Sequence, residues 1–171
     1  MLVSLALLAG LAAASLPDAA SDDGRHVIGG SDLPAACYRH ARRGDVHQDA
    51  VDLCTRAIEE ARAPINRTAS IVNRGVVHYN GGRYALAAAD FGAVIEAGSK
   101  NARVLVNRGL AYEQLGQEAR GAQAARYVAL ARADYEAALA LRPGDATATR
   151  RLGELAKPKL ERAPLRGRVT A

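Results

Sequence analysis

The chain has 171 residues and a formal net charge of +5, with 49% hydrophobic, 24% charged and 4% aromatic residues. This is the length of one domain with room for a tail, globular over most of its extent. With 16 glycines and 6 prolines it is not a collagen-like or low-complexity chain; scarce aromatics argue against a β-sandwich, and abundant alanine argues for closely packed helices.

Residues 2–16 form an uncharged apolar run. It is too short to span a membrane, which takes about 20 apolar residues, and has the length of a signal-peptide core. Ala12-Ala13-Ala14 offers small residues for cleavage before Ser15, so a signal peptide of residues 1–14, or extending to 20, is expected. No Lys or Arg follows Met1, a departure from the usual signal; the alternative is a buried N-terminal helix. Pro17 and the polar stretch 21–30 detach the run, which makes 15–30 a linker and favours export. No cysteine lies at the cleavage point, as a lipoprotein signal would require. The mature chain is then periplasmic or otherwise exported, without an integral membrane span.

A helical domain is expected over 31–156, in repeated units. The first covers about 31–64: Ser31-Asp32 offers an N-cap, Pro34 suits a first turn, Gly44 marks the turn, and a second helix covers 46–60. The second unit, about 68–101, has helices over 68–80 and 84–97 with Gly81-Gly82 between them. The third, about 102–145, has a helix over 102–115, a turn at Gly116, and a long helix over about 118–141 stopped by Pro143-Gly144. A closing helix at 146–156 caps the last apolar face.

The units repeat in detail. Val72-Asn73-Arg74-Gly75 recurs 34 residues later as Val106-Asn107-Arg108-Gly109, and Gly82 matches Gly116. Ala87, Ala89, Asp90, Phe91 and Ala93 are answered 44 residues later by Ala131, Ala133, Asp134, Tyr135 and Ala137, so the third unit carries ten extra residues. That insertion contains no Pro and is expected to lengthen the second helix, whose N-terminal half overhangs its neighbours. A mid-helix Gly costs about 1 kcal/mol relative to Ala; Gly75 and Gly109 therefore signal close approach of a partner helix, with Phe91 and Tyr135 filling the space beside them.

The last fifteen residues, 157–171, hold Lys157, Lys159, Arg162, Arg166 and Arg168 against Glu161 and so carry +4 of the net charge. A solvated, mobile basic tail is expected, with contact to an anionic surface as the alternative. No aromatic interleaves these charges, so nucleic acid is not an expected partner.

At these residues the chain resembles the tetratricopeptide repeat family, whose unit is a 34-residue helix–turn–helix. Matching positions are the small residue of the first helix (Gly75, Gly109), the aromatic after it (Tyr112, loosely His78), the turn Gly (Gly82, Gly116), then Ala87 and Ala131, Phe91 and Tyr135, Ala138, and Pro143. Departures are Ile71 and Leu105 where Trp is common, Val94, Ser99, the insertion, and Cys37 at the first unit's small position. The resemblance implies an all-α, right-handed α-solenoid of about three repeats with a C-terminal capping helix. It also implies a protein- or peptide-binding scaffold that uses the concave face lined by first helices. On that face it places Asn73 and Asn107, whose amides both donate and accept, with Arg103, Tyr79 and Glu113 beside them. Arg74 and Arg108 either add positive character there or are solvated.

Cys37 and Cys54 are the only cysteines. An even count in an exported chain fits a disulfide. They are equidistant from the first turn, and Cys54 occupies the position of Phe91 and Tyr135; buried reduced thiols are the alternative. His40 and His47 flank the same turn with Asp45 between them, either a metal site or two exposed histidines. No nucleophile motif, phosphate loop or dinucleotide fingerprint occurs, and no carboxylates converge for acid–base work. The expected molecule is a cofactor-free, non-catalytic binder of another protein or peptide in the bacterial cell envelope. The alternative is a structural subunit of an envelope assembly, docked through the long third-unit helix.

Overall fold

The computed structural model describes residues 32–158 together with Glu161, Arg162, Leu165 and Val169. The expected signal segment and linker, and His26, lie outside the described residues. Seven helices follow in order and no strand occurs among the described residues: α1 Leu33–Arg43, α2 Gln48–Glu59, α3 Pro64–Asn80, α4 Tyr84–Glu96, α5 Ala102–Glu118, α6 Gly121–Leu141 and α7 Ala146–Ala156. Each helix packs on its neighbour in sequence, and α1 also packs on α3.

Local chemistry accounts for most boundaries. Asp145 accepts hydrogen bonds from the Thr147 and Ala148 amides, and Asn101 from the Arg103 amide, satisfying the first donors of α7 and α5. At the first turn Gly44 takes φ 76°, which turns the Asp45 N–H back onto the His40 carbonyl at 3.1 Å and closes α1. Helix α3 starts at Pro64, a turn before the expected 68. Proline is pre-organised for a first helical turn, and Arg67 ties that turn to the end of α2 by donating to the Ile58 carbonyl at 2.9 Å. Asp32 precedes α1 without capping it through its side chain; its carboxylate takes Arg39 instead, at 2.9 Å.

The duplicated sequence is a duplicated contact. A Cβ added to Gly75 would lie 2.7 Å from Phe91 Cε1, and one added to Gly109 would lie 2.7 Å from Tyr135 Cε1. Both rings are fully buried. Beside each ring a guanidinium forks onto a carboxylate. Arg74 donates to Asp90 at 3.0 and 2.7 Å, and Arg108 donates to Asp134 at 2.9 and 2.7 Å. The repeated Arg-Gly and Asp-aromatic pairs thus lock first helix to second helix by shape and by charge. In the first unit Cys37 and Cys54 replace this device. Both are fully buried, with their Sγ atoms bonded at 2.06 Å and their Cα atoms 4.8 Å apart.

The insertion differs from expectation. Gly116 is not a turn: α5 continues to Glu118, and Gly116 lies against Ala124, Tyr127 and Val128 of α6. Matched at the repeat offsets, α5 extends four residues beyond the end of α3, while α6 begins seven residues ahead of the start of α4. The added turns face each other, Gly116 of α5 against Ala124 of α6, and Tyr127 of the added α6 turns stacks on Tyr112 at 6.1 Å, rather than leaving the start of α6 overhanging. Ala119 and Arg120 are extended and make the turn.

Two clusters of buried side chains form the core. One runs from α1 to α5 around Val76, Val77 and Phe91; the other joins α5, α6 and α7 around Tyr135, Ala138 and Ala148. The C-terminal stretch also departs from a solvated tail at described positions. Arg162 donates to the Lys157 carbonyl at 2.9 Å and to that of Leu155 at 3.3 Å, and Val169 is 4% exposed within the first cluster.

Candidate binding surfaces

The first helices α1, α3 and α5 share an open groove of about 400 Å³. Pro34, Tyr38, Ile65, Val72, Asn73 and Val104 line it. Apolar side chains are presented there rather than hidden, Ile65 being 77% and Tyr38 43% exposed. Asn73 is 6% exposed and lines the groove, where an amide can both donate and accept.

The structure divides the five expected groove residues. Asn73 lines the groove. Arg103 is exposed at the start of α5, and Asn107 is buried on the same helix. Tyr79 is a core residue: its ring meets Tyr84 edge-on at 5.3 Å and its hydroxyl accepts from Gln114 at 3.5 Å. Burial pushes the Tyr79 hydroxyl pKa above its ordinary value. Glu113 is not available to a peptide. It accepts from the Tyr135 hydroxyl at 2.7 Å and from Arg151 Nε at 2.9 Å, and Arg151 Nη2 bonds its second oxygen. Both charged side chains are 5% exposed. This network joins α5, α6 and α7 and raises the Arg151 pKa chiefly through the Glu113 bond, while burial, and after it Glu113, pushes the Tyr135 hydroxyl far up.

Arg74 and Arg108 are likewise paired rather than solvated, and their carboxylate bonds raise both pKa values. Burial pushes Asp134 up while Arg108 pulls it down; the two-oxygen fork is that of an ionised carboxylate, so the charged pair describes the site. Arg108 also lies 5.8 Å from the Tyr112 ring centroid. The repeat offsets contained this signal, since Arg and Asp recur together with the Gly and aromatic they flank.

His40 Nδ1 is bonded to Asp45 Oδ2 at 2.8 Å, and His47 precedes α2 as its N-cap residue. No cluster of three or more His, Cys, Asp or Glu side chains that could hold a metal occurs among the described residues. His78 is buried and accepts from Arg83 Nε at 3.0 Å through Nδ1, and burial lowers its pKa. No helix among the described residues is long and apolar enough to cross a membrane.

A second concavity, of about 630 Å³, lies where the lengthened α5–α6 pair passes α7. Glu113, Arg132, Arg151, Leu155 and Arg162 border it. No sequence pattern marked it, because its walls come from three helices and from Arg162 beyond them. Comparison with family models, curated proteins and solved structures finds no match for this chain.

Proposed function

We propose that this chain is an exported helical-repeat scaffold of the tetratricopeptide type, a non-catalytic module of the bacterial cell envelope that binds a protein or peptide in the groove of its first helices. The observation that carries the reading is the groove itself, in which the amide-bearing Asn73 sits among apolar side chains that are exposed rather than hidden. Backbone amides of an extended segment are natural partners for such a group, and Ile65 and Tyr38 offer area to its side chains. Three stacked helix pairs joined by repeated contacts, followed by α7, support a solenoid architecture. A buried cysteine pair at bonding distance accords with an oxidising compartment.

Docking through α6 has less support, because its added first turns face α5. The test is recovery of a partner from envelope extracts with the wild-type chain, Ile65→Glu/Asn73→Ala, and Leu130→Glu on the exposed side of α6. Loss with the groove variant alone supports the reading. Loss with Leu130→Glu alone overturns it in favour of the docking helix.

A further inference from the structure

The concavity between the α5–α6 extension and α7 is separate from the groove of the first helices. Its apolar surface comes from Ala125, Val128 and Ala129 of α6 and from Leu155 of α7. Ala125 and Ala129 are exposed to solvent there. Ala125 belongs to the turns that the insertion adds, while Ala129 aligns with Ala85 at the start of α4, so the wall extends beyond what α4 has.

Three guanidiniums border this surface. Arg151 is neutralised by Glu113. Arg132 and Arg162 are not neutralised by any carboxylate among the described residues. Each reaches only carbonyl oxygens, and both meet on the same one: Leu155 O, at 3.3 Å from each guanidinium. One arrives from α6 and the other from beyond α7. Two positive charges therefore converge at one point on the rim of an apolar hollow. Its volume, about 630 Å³, is within the ordinary range for small-molecule sites.

We propose that this hollow binds a small amphiphilic carboxylate, its apolar chain along the alanine and valine wall and its carboxylate between Arg132 and Arg162. The chemistry is complementary in both parts. An apolar chain leaves water for a surface that is already concave and apolar. A carboxylate offers two acceptor oxygens to two guanidiniums, each of which gives up only a long bond to a shared carbonyl to take it. Arg162 lies outside the helices and completes the site from beyond α7.

Decanoate, kept below its micelle-forming concentration, is the probe, titrated calorimetrically into the purified chain with its C-terminal stretch. Saturable one-to-one binding is expected. Arg132→Ala and Arg162→Ala should each weaken it about tenfold, the order of one lost charge-assisted bond, with helical content unchanged by circular dichroism. Arg126→Ala, on an exposed arginine of the same helix that does not line the hollow, should leave it unchanged. Decanol should bind about tenfold more weakly than decanoate and be indifferent to the arginine changes. Absence of saturable decanoate binding, equal loss with Arg126→Ala, or equal affinity for decanol would overturn the proposal. Tighter binding of decyl phosphate would overturn the carboxylate assignment.

Discussion

Replacing Gly109 by alanine tests the contact that the repeat preserves. The new Cβ would lie 2.7, 3.0 and 3.1 Å from Tyr135 Cε1, Cζ and Cδ1. Carbon atoms rest at about 3.5–4.0 Å, so the ring has to withdraw by roughly 0.8 Å. It has little freedom to do so, being fully buried with its hydroxyl donated to Glu113 at 2.7 Å. Overpacking of this kind costs about 1–3 kcal/mol. Alanine returns about 1 kcal/mol of helix propensity, leaving a net loss of about 0–2 kcal/mol. Thermal unfolding followed by circular dichroism should show Tm lower by up to about 8 °C. Gly75→Ala meets Phe91 Cε1 at the same 2.7 Å, but that ring has no hydroxyl tether, so the loss should be smaller. A rise in Tm for Gly109→Ala would refute the reasoning, because propensity alone would then decide the position.

The Cys37–Cys54 bridge should leave no reactive thiol in native protein by mass after alkylation, and its reduction should cost about 3 kcal/mol of unfolding free energy; two alkylated thiols without reductant would contradict it. Glu113→Gln leaves Arg151 buried without its counter-charge and should destabilise by about 3–5 kcal/mol in denaturant titration, while Glu113→Leu with Arg151→Met should lose distinctly less. His78 has a folded pKa below its ordinary 6.5 because it is buried. The unfolded chain therefore takes up the proton first, so the contribution of neutral His78 is full above pH 6.5 and is lost as pH falls through the lowered folded value. His78→Gln should flatten this part of the stability profile, and an unchanged slope between pH 7.5 and 5.5 would rule His78 out as its source.

Helix identity and spacing were legible in the chain because their causes are local. Pro34 and Gly44 bracket α1, Gly82 and Pro143-Gly144 punctuate later turns, and α7 spans the residues expected of it. The repeat of Gly75 with Phe91 and Gly109 with Tyr135 was legible too, since a costly mid-helix glycine at matching places signals a tight partner. Equal distance from the first turn, with an even cysteine count, favoured pairing Cys37 with Cys54 over buried thiols, and the structure bonds them. The side-chain partners were another matter. Arg74 and Arg108 stood open between groove and solvent; only the rotation of each helix about its axis turned them onto Asp90 and Asp134. Glu113 shares a face with groove residues in a helical count, yet it is buried because Arg151, 38 residues away, arrives on α7 to meet it. The insertion read as one long helix because propensity does not say where a chain turns back. Packing divided it, since turns added to α5 and α6 together bury one another's apolar sides, while turns added to α6 alone would face water. The concavity beside Arg132 and Arg162 exists only as a result of that division. Local propensity and repetition determine which elements form; which charges meet and which surfaces stay open depend on contacts between residues far apart in the chain.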